Sequence, residues 1–186
     1  MRVKRIVMEW TILIADDHEI VRKGIRDLIR QFRPEWKVCG EAGNGAEAVE
    51  MGKSLNPDIV ILDIAMPGIS GIEAASQLAR AHLACHVLLF TMYESGRLAE
   101  AAREAGAQGY VLKSQAAHYL ILAIDRIMEG GTFFGTPEAN GAADGKTSFD
   151  GGPIRCDDLG ARESLAPPRR VLEKFRWLWP RARFST

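Results

Sequence analysis

The apolar positions of this chain follow two alternating patterns. Residues 11–15 (TILIA), 59–62 (IVIL), 86–90 (HVLLF) and 109–112 (GYVL) are short, nearly unbroken apolar runs. Runs of that length between turn residues predict strands buried on both faces, as in parallel sheets. A fifth run, 36–42, is more mixed and also predicts a strand. Between the runs the period changes. In residues 17–32 (DHEIVRKGIRDLIRQF), Val21, Ile25, Leu28, Ile29 and Phe32 are spaced i, i+4, i+7, i+8 and i+11, one face of a helix. Further helices are predicted over 46–55, 71–84, 95–105 and 117–128. The third should bury Ile72, Ala75, Leu78 and Ala79, and the fifth Leu120, Ile121, Ile124, Ile127 and Met128. The fourth is rich in alanine and poor in large apolar residues. Pro34, Asn44-Gly45, Asn56-Pro57, Pro67-Gly68, Gly106 and Gly130-Gly131 punctuate the series.

Strands alternating with helices over about 130 residues predict an α/β domain with a parallel sheet and right-handed crossovers. The expected architecture is a five-stranded, doubly wound, flavodoxin-like sheet of strand order 2-1-3-4-5. With 186 residues, the chain has room for one such domain and an appendage. Residues 1–9 are expected to be an N-terminal extension without pattern, with Met8 an alternative translation start, and 10–131 the domain. Residues 132–168, rich in Gly, Ala, Asp, Ser and Pro, predict a linker. Residues 169–186 form a basic, aromatic tail whose spacing (Val171, Leu172, Phe175, Leu178, Trp179) predicts a short helix ended by Pro180.

The net charge is zero, but residues 153–186 carry 8 basic and 4 acidic side chains against 16 and 20 in the rest. That surplus is too small to establish nucleic-acid binding. Cys39, Cys85 and Cys156 are too few and too scattered for a disulfide framework, and Cys39 and Cys85 read as small core residues. No apolar run is long enough to span a membrane, and the basic start lacks a signal-peptide pattern, so a cytoplasmic protein is expected.

The chemistry gathers at the strand ends. Asp16 and Asp17 follow the first strand, Asp63 closes the third, Thr91 the fourth and Lys113 the fifth. Open parallel sheets bind ligands just past the carboxyl ends of their strands, so these five side chains are expected to share one pocket. Each taken singly is an ordinary loop residue; the recurrence is what points to a site. Three clustered carboxylates repel and are tolerable only with a cation or with raised pKa values, and an all-oxygen set with few protein ligands suits Mg²⁺. A carboxylate beside a divalent cation, an ammonium and a hydroxyl fits phosphoryl transfer to an aspartate.

The segments ILIADDHEIVRKGI, DIVILDIAMPGISGIEA, LLFTM and GAQGYVLKS resemble the receiver domain of bacterial two-component response regulators, most closely the NarL/FixJ (LuxR-like) subgroup. The resemblance covers residues 10–135 approximately. It implies that Asp63 is the phosphoacceptor, taking its phosphoryl group from a sensor histidine kinase. It implies that Asp16, Asp17, Asp63 and the backbone carbonyl of Ala65 hold Mg²⁺, that Lys113 and Thr91 contact the phosphoryl group, and that Tyr110 is a switch. Tyr110 also reads simply as a half-buried core phenol. Ser114 and the segment AHLACH depart from the usual pattern, and Ala65 and Tyr93 are the positions that tune dephosphorylation in receivers.

The implied function is phosphorelay signalling, with no enzymatic activity beyond self-catalysed phosphoryl acceptance and slow autodephosphorylation. An aspartyl-phosphate hydrolase needs a second carboxylate two residues after its nucleophile, where this chain has Ala65. The thin fourth helix, fifth strand and fifth helix are expected to form the output surface and a homodimer contact. The resemblance further implies a DNA-binding helix-turn-helix after the receiver. LGARE at 159–163 and RRVLEKF at 169–175 echo its start, but Pro167-Pro168 interrupts it and the remaining residues resemble nothing downstream. The tail therefore reads as a remnant of that domain, with an amphipathic docking segment as the alternative; the alternative functions of the whole protein are a DNA-binding transcriptional regulator and a pseudo-receiver interaction module.

Overall fold

The computed structural model describes residues 9–81, 83–92 and 97–134. Six parallel strands form one sheet of order β2-β1-β3-β4-β5-β6: β1 (Thr11–Ala15), β2 (Lys37–Ala42), β3 (Ile59–Asp63), β4 (His86–Thr91), β5 (Gly109–Leu112) and β6 (Phe133–Phe134). The helices are α1 (Glu19–Phe32), α2 (Gly45–Leu55), α3 (Gly71–Arg80), α4 (Leu98–Glu104) and α5 (Ala116–Met128). The first five strands stand in the predicted flavodoxin-like order.

Alternation along each strand separates two cores. Ile12, Ile14, Ile59, Ile61, Leu88, Phe90 and Val111 point to α1 and α5. Leu13, Val60, Leu62, Val87, Leu89 and Leu112 point to the layer holding α2, α3 and α4. All five residues of β3 are buried, which is why its sequence shows no polar alternation.

Two expectations are corrected. The sheet has a sixth strand inside the stretch expected to be linker. Gly109 pairs with Phe133, and Phe133 N–H donates to Gln108 O at 2.9 Å. A Cβ at Gly109 would lie 2.0 Å from the Phe133 carbonyl oxygen, so only glycine admits this approach. Phe133 then enters the α1/α5 core and Phe134 the opposite one. Next, α3 ends at Arg80 rather than 84, because Leu83 leaves the helical path to pack against the core. Its buried face holds Ala74 with Ala75 and Leu78, whereas Ala79 is exposed. The fourth helix, α4, is described from Leu98, and buries just Leu98 and Ala102. Residues 95 and 96, expected to open that helix, lie outside the described residues, as do 1–8, Tyr93 and the tail from 135, including Cys156.

Cys39 and Cys85 are half-buried against one core, and Cys39 Sγ donates to Ile12 O at 3.4 Å. Burial raises both thiol pKa values above the ordinary 9.0, so the native state favours the protonated forms. The sign follows. This contribution to stability is complete below the unfolded thiol pKa and is lost as pH rises through the folded one. In a Cys156→Ser background, both thiols should alkylate several-fold more slowly in buffer near pH 8 than in urea. Equal rates would contradict that burial.

Candidate functional site

The carboxyl ends of β1, β3, β4 and β5 open on one edge, and the sheet register sets what meets there. Asp16 follows β1, with its N–H fixed to Ala42 O at 3.1 Å. Asp63 ends β3 opposite Phe90, and Thr91 ends β4 opposite Leu112. Lys113 opens the 3₁₀ turn Lys113–Gln115 after β5. Asp16, Asp63, Thr91 and Lys113 are the buried polar and charged residues of the described chain.

Lys113 joins the carboxylates. Its Nζ lies 2.7 Å from Asp63 Oδ2 and 2.7 Å from Asp16 Oδ2, with all three side chains at most 5% exposed. The Asp63 contact is an aligned hydrogen bond. Asp16 Oδ2 is held by charge alone and accepts no aligned hydrogen bond. The second Asp63 oxygen, Oδ1, accepts from Ala65 N–H at 3.2 Å. Asp17 sits at the rim, its side chain about a third exposed, with Oδ1 2.7 Å from His18 Nδ1.

Ligand atoms of Asp16, Asp17, His18 and Asp63 all lie within 4.8 Å of one another. Three carboxylates and one ammonium leave a local excess of two negative charges if His18 is neutral, which a divalent cation would offset. The poorly satisfied, fully buried Asp16 Oδ2 supplies an acceptor aimed at such an ion. Hard oxygen donors fit Mg²⁺.

The turn after Asp63 is shaped to keep it in place. Gly68 adopts φ +77°, and Ser70 Oγ caps α3 by accepting from Glu73 N–H at 3.2 Å. A Cβ at Gly71 would fall 2.1 Å from the Asp63 carbonyl oxygen, so the first residue of α3 lies directly against the backbone of Asp63. Ala65, exposed, presents only a methyl group beyond the carboxylate.

Of the expected site residues, Asp16, Asp17, Asp63 and Lys113 come together directly, and Thr91 is buried on the neighbouring strand end. Tyr110 lies on β5, three residues before Lys113. It pairs in register with Leu89, is buried, and meets Phe134 edge-on with ring centroids 6.3 Å apart. Arg103 of α4 places its guanidinium 4.0 Å from the centre of the Phe134 ring. Sequence reasoning missed His18, whose ring turns back to both loop aspartates, and Arg22, whose Nη1 donates to Asp16 O at 2.7 Å. Adjacency to Asp17 was the available signal for His18. Arg22 gave none, since a basic residue on a helix reads as a solvated face.

Residues 12–125 match the sequence profile of the response regulator receiver domain. The chain belongs to that family. It is similar to the nitrate/nitrite response regulator protein NarL of Escherichia coli K12, 35% identical over 120 residues, covering 64% of this chain and 55% of NarL. It is 39% identical over 120 residues to the transcriptional regulatory protein LnrK of Bacillus subtilis 168, covering 64% and 54%. The crystal structure of a LuxR-family two-component response regulator from Aurantimonas sp. SI85-9A1 superposes with TM-score 0.66 at 39% identity, covering 70% of this chain and 92% of that one. The protein therefore contains a receiver domain of the NarL/LuxR class of two-component response regulators, and the chain spans about half the length of the curated relatives it matches. No helix among the described residues is long and apolar enough to cross a membrane.

Proposed function

We propose that this receiver accepts a phosphoryl group on Asp63 from a sensor histidine kinase and changes its partner-binding surface in response. The observation that carries this reading is Lys113 Nζ, equidistant from Asp16 and Asp63 in a buried site at the carboxyl edge of the sheet. The Asp63 carboxylate is the nucleophile. An oxygen of Asp63 bonds to phosphorus as the bond to the donor histidine nitrogen breaks, and the electron pair of that bond returns to the imidazole. Asp16, Asp17, Asp63 and the Ala65 carbonyl would hold Mg²⁺, which when bound offsets charge on the transferring oxygens. Lys113 and the Thr91 hydroxyl contact the phosphoryl oxygens, and the ammonium exchanges its Asp63 contact for the new dianion. No carboxylate follows at Ala65 to activate water, so the product is a signalling state rather than a turnover intermediate.

The output runs through α4, β5 and α5. Thr91 moves toward the phosphoryl group, and its loop and the weakly packed α4 move with it. Tyr110 is the switch residue on β5, and Phe134 joins its ring to Arg103 of α4. A second copy seated on this face would therefore meet β6 as well as α4 and α5. The second reading is a cytoplasmic DNA-binding transcriptional regulator, favoured by the regulators among its relatives and by the basic residues of the tail.

Beryllofluoride, a phosphoryl mimic, tests the site and the switch together. With Mg²⁺ present, the amide resonances of Thr91, Tyr110, Lys113 and Phe134 should shift in the wild type but not in Asp63→Asn. Unchanged wild-type resonances would overturn the proposal.

A further inference from the structure

Arg22 stands in the first turns of α1, and its guanidinium reaches back over the start of the helix. Nη1 donates to the carbonyl of Asp16 at 2.7 Å while Nε donates to Glu41 Oε2 at 3.2 Å. Glu41 lies on β2, in register with Ile14 of β1, and its other oxygen accepts from Arg26 Nη1. The Arg22 and Glu41 side chains are only 17% and 25% exposed. Asp16 is thus tied to β2 twice, by its own N–H to Ala42 O and by its carbonyl through Arg22 to Glu41.

We propose that Arg22, anchored by Glu41, is a positioning residue that fixes the Asp16–Asp17 peptide so that both carboxylates face the cation site. This inference rests on reading Asp16, Asp17 and Asp63 as that site. The carbonyl Arg22 holds belongs to the one peptide plane joining the two loop aspartates, so turning it swings Asp17 relative to Asp16. Mg²⁺ demands near-octahedral geometry and tolerates such misplacement poorly. A guanidinium suits the task because its planar fork reaches two acceptors at once, which an ammonium on a flexible stem does not reproduce.

The sign of the effect separates positioning from charge. A cationic side chain beside a cation site repels the ion, so a role through charge alone predicts tighter Mg²⁺ binding in Arg22→Gln. Positioning predicts weaker binding, about tenfold by analogy with other outer-shell partners of metal ligands. It also predicts weaker binding in Arg22→Lys, where the charge is kept and the planar fork is lost.

The experiment is a Mg²⁺ titration of the full chain, followed by calorimetry and by the amide resonances of Asp16, Asp17 and Asp63. Each variant is first checked for a cooperative melt, and Arg22→Lys decides the matter if Arg22→Gln does not fold. Affinity reduced in folded variants, whatever their melting temperatures, supports the assignment. Wild-type affinity or tighter binding in them overturns it and leaves the cation site standing. A wild type that binds no Mg²⁺, or binds it equally well as Asp16→Asn, overturns the cation site and this inference together.

Discussion

Replacing Lys113 with Met should lower the stability of the metal-free protein by about 3–5 kcal/mol, the usual cost of removing one partner from a buried ion pair. The cost arises because Asp16 and Asp63, each at most 3% exposed, would lose the only ammonium within reach among the described residues. Methionine fills much of the same volume, so the loss reports charge rather than a cavity. Two further results follow. Asp63→Asn in the Lys113→Met background should recover part of the loss, because one of the two facing charges is gone. Mg²⁺ should raise the melting temperature of Lys113→Met more than that of the wild type, since the ion then supplies the sole compensating charge. Urea denaturation with and without Mg²⁺ measures all of this. A Lys113→Met protein as stable as wild type, and indifferent to Mg²⁺, would contradict the described arrangement.

Phe133→Ala should cost a similar amount, about 3–5 kcal/mol, the range for truncating a buried aromatic ring. Phe133 is fully buried among Val111, Leu120, Ala123 and Ile124 in the α1/α5 core, with the Tyr119 ring 6.2 Å away. Phe134→Ala should cost less, because that ring sits at the edge of the opposite core, under Arg103 and beside Tyr110. A loss below about 0.5 kcal/mol for Phe133→Ala, the size of an ordinary surface change, would mean that the domain ends before β6.

The contrast between these two sites shows what the sequence made readable. Asp63 and Lys113 each end an apolar run, and a charge at that place in a parallel sheet has few roles but a site. The runs were readable because β3 and its neighbours are buried on both faces, which leaves no polar residue to blur their limits. Phe133 had no such signature. Two residues have no period, they follow Gly130-Gly131, and their burial depends on Gly109, twenty-four positions earlier, letting a backbone carbonyl approach. The end of α3 was hidden for a related reason. Alanines favour helix up to residue 84, and only the tertiary contact of Leu83 turns the chain early. Within the site, the carboxylates and the lysine stood out, whereas Arg22 and Glu41 are nineteen residues apart on a helix and an edge strand. Only the β1–β2 register brings them to Asp16.

Asp63 as phosphoacceptor has a direct readout in the mass of the protein. Incubating the full chain with Mg²⁺ and a small-molecule phosphodonor, then measuring its intact mass beside Asp63→Asn, tests it most directly. The wild type should gain one phosphoryl group, a gain absent without Mg²⁺ and absent in Asp63→Asn. A folded wild-type protein that gains nothing, or an Asp63→Asn variant that gains as much, would contradict it.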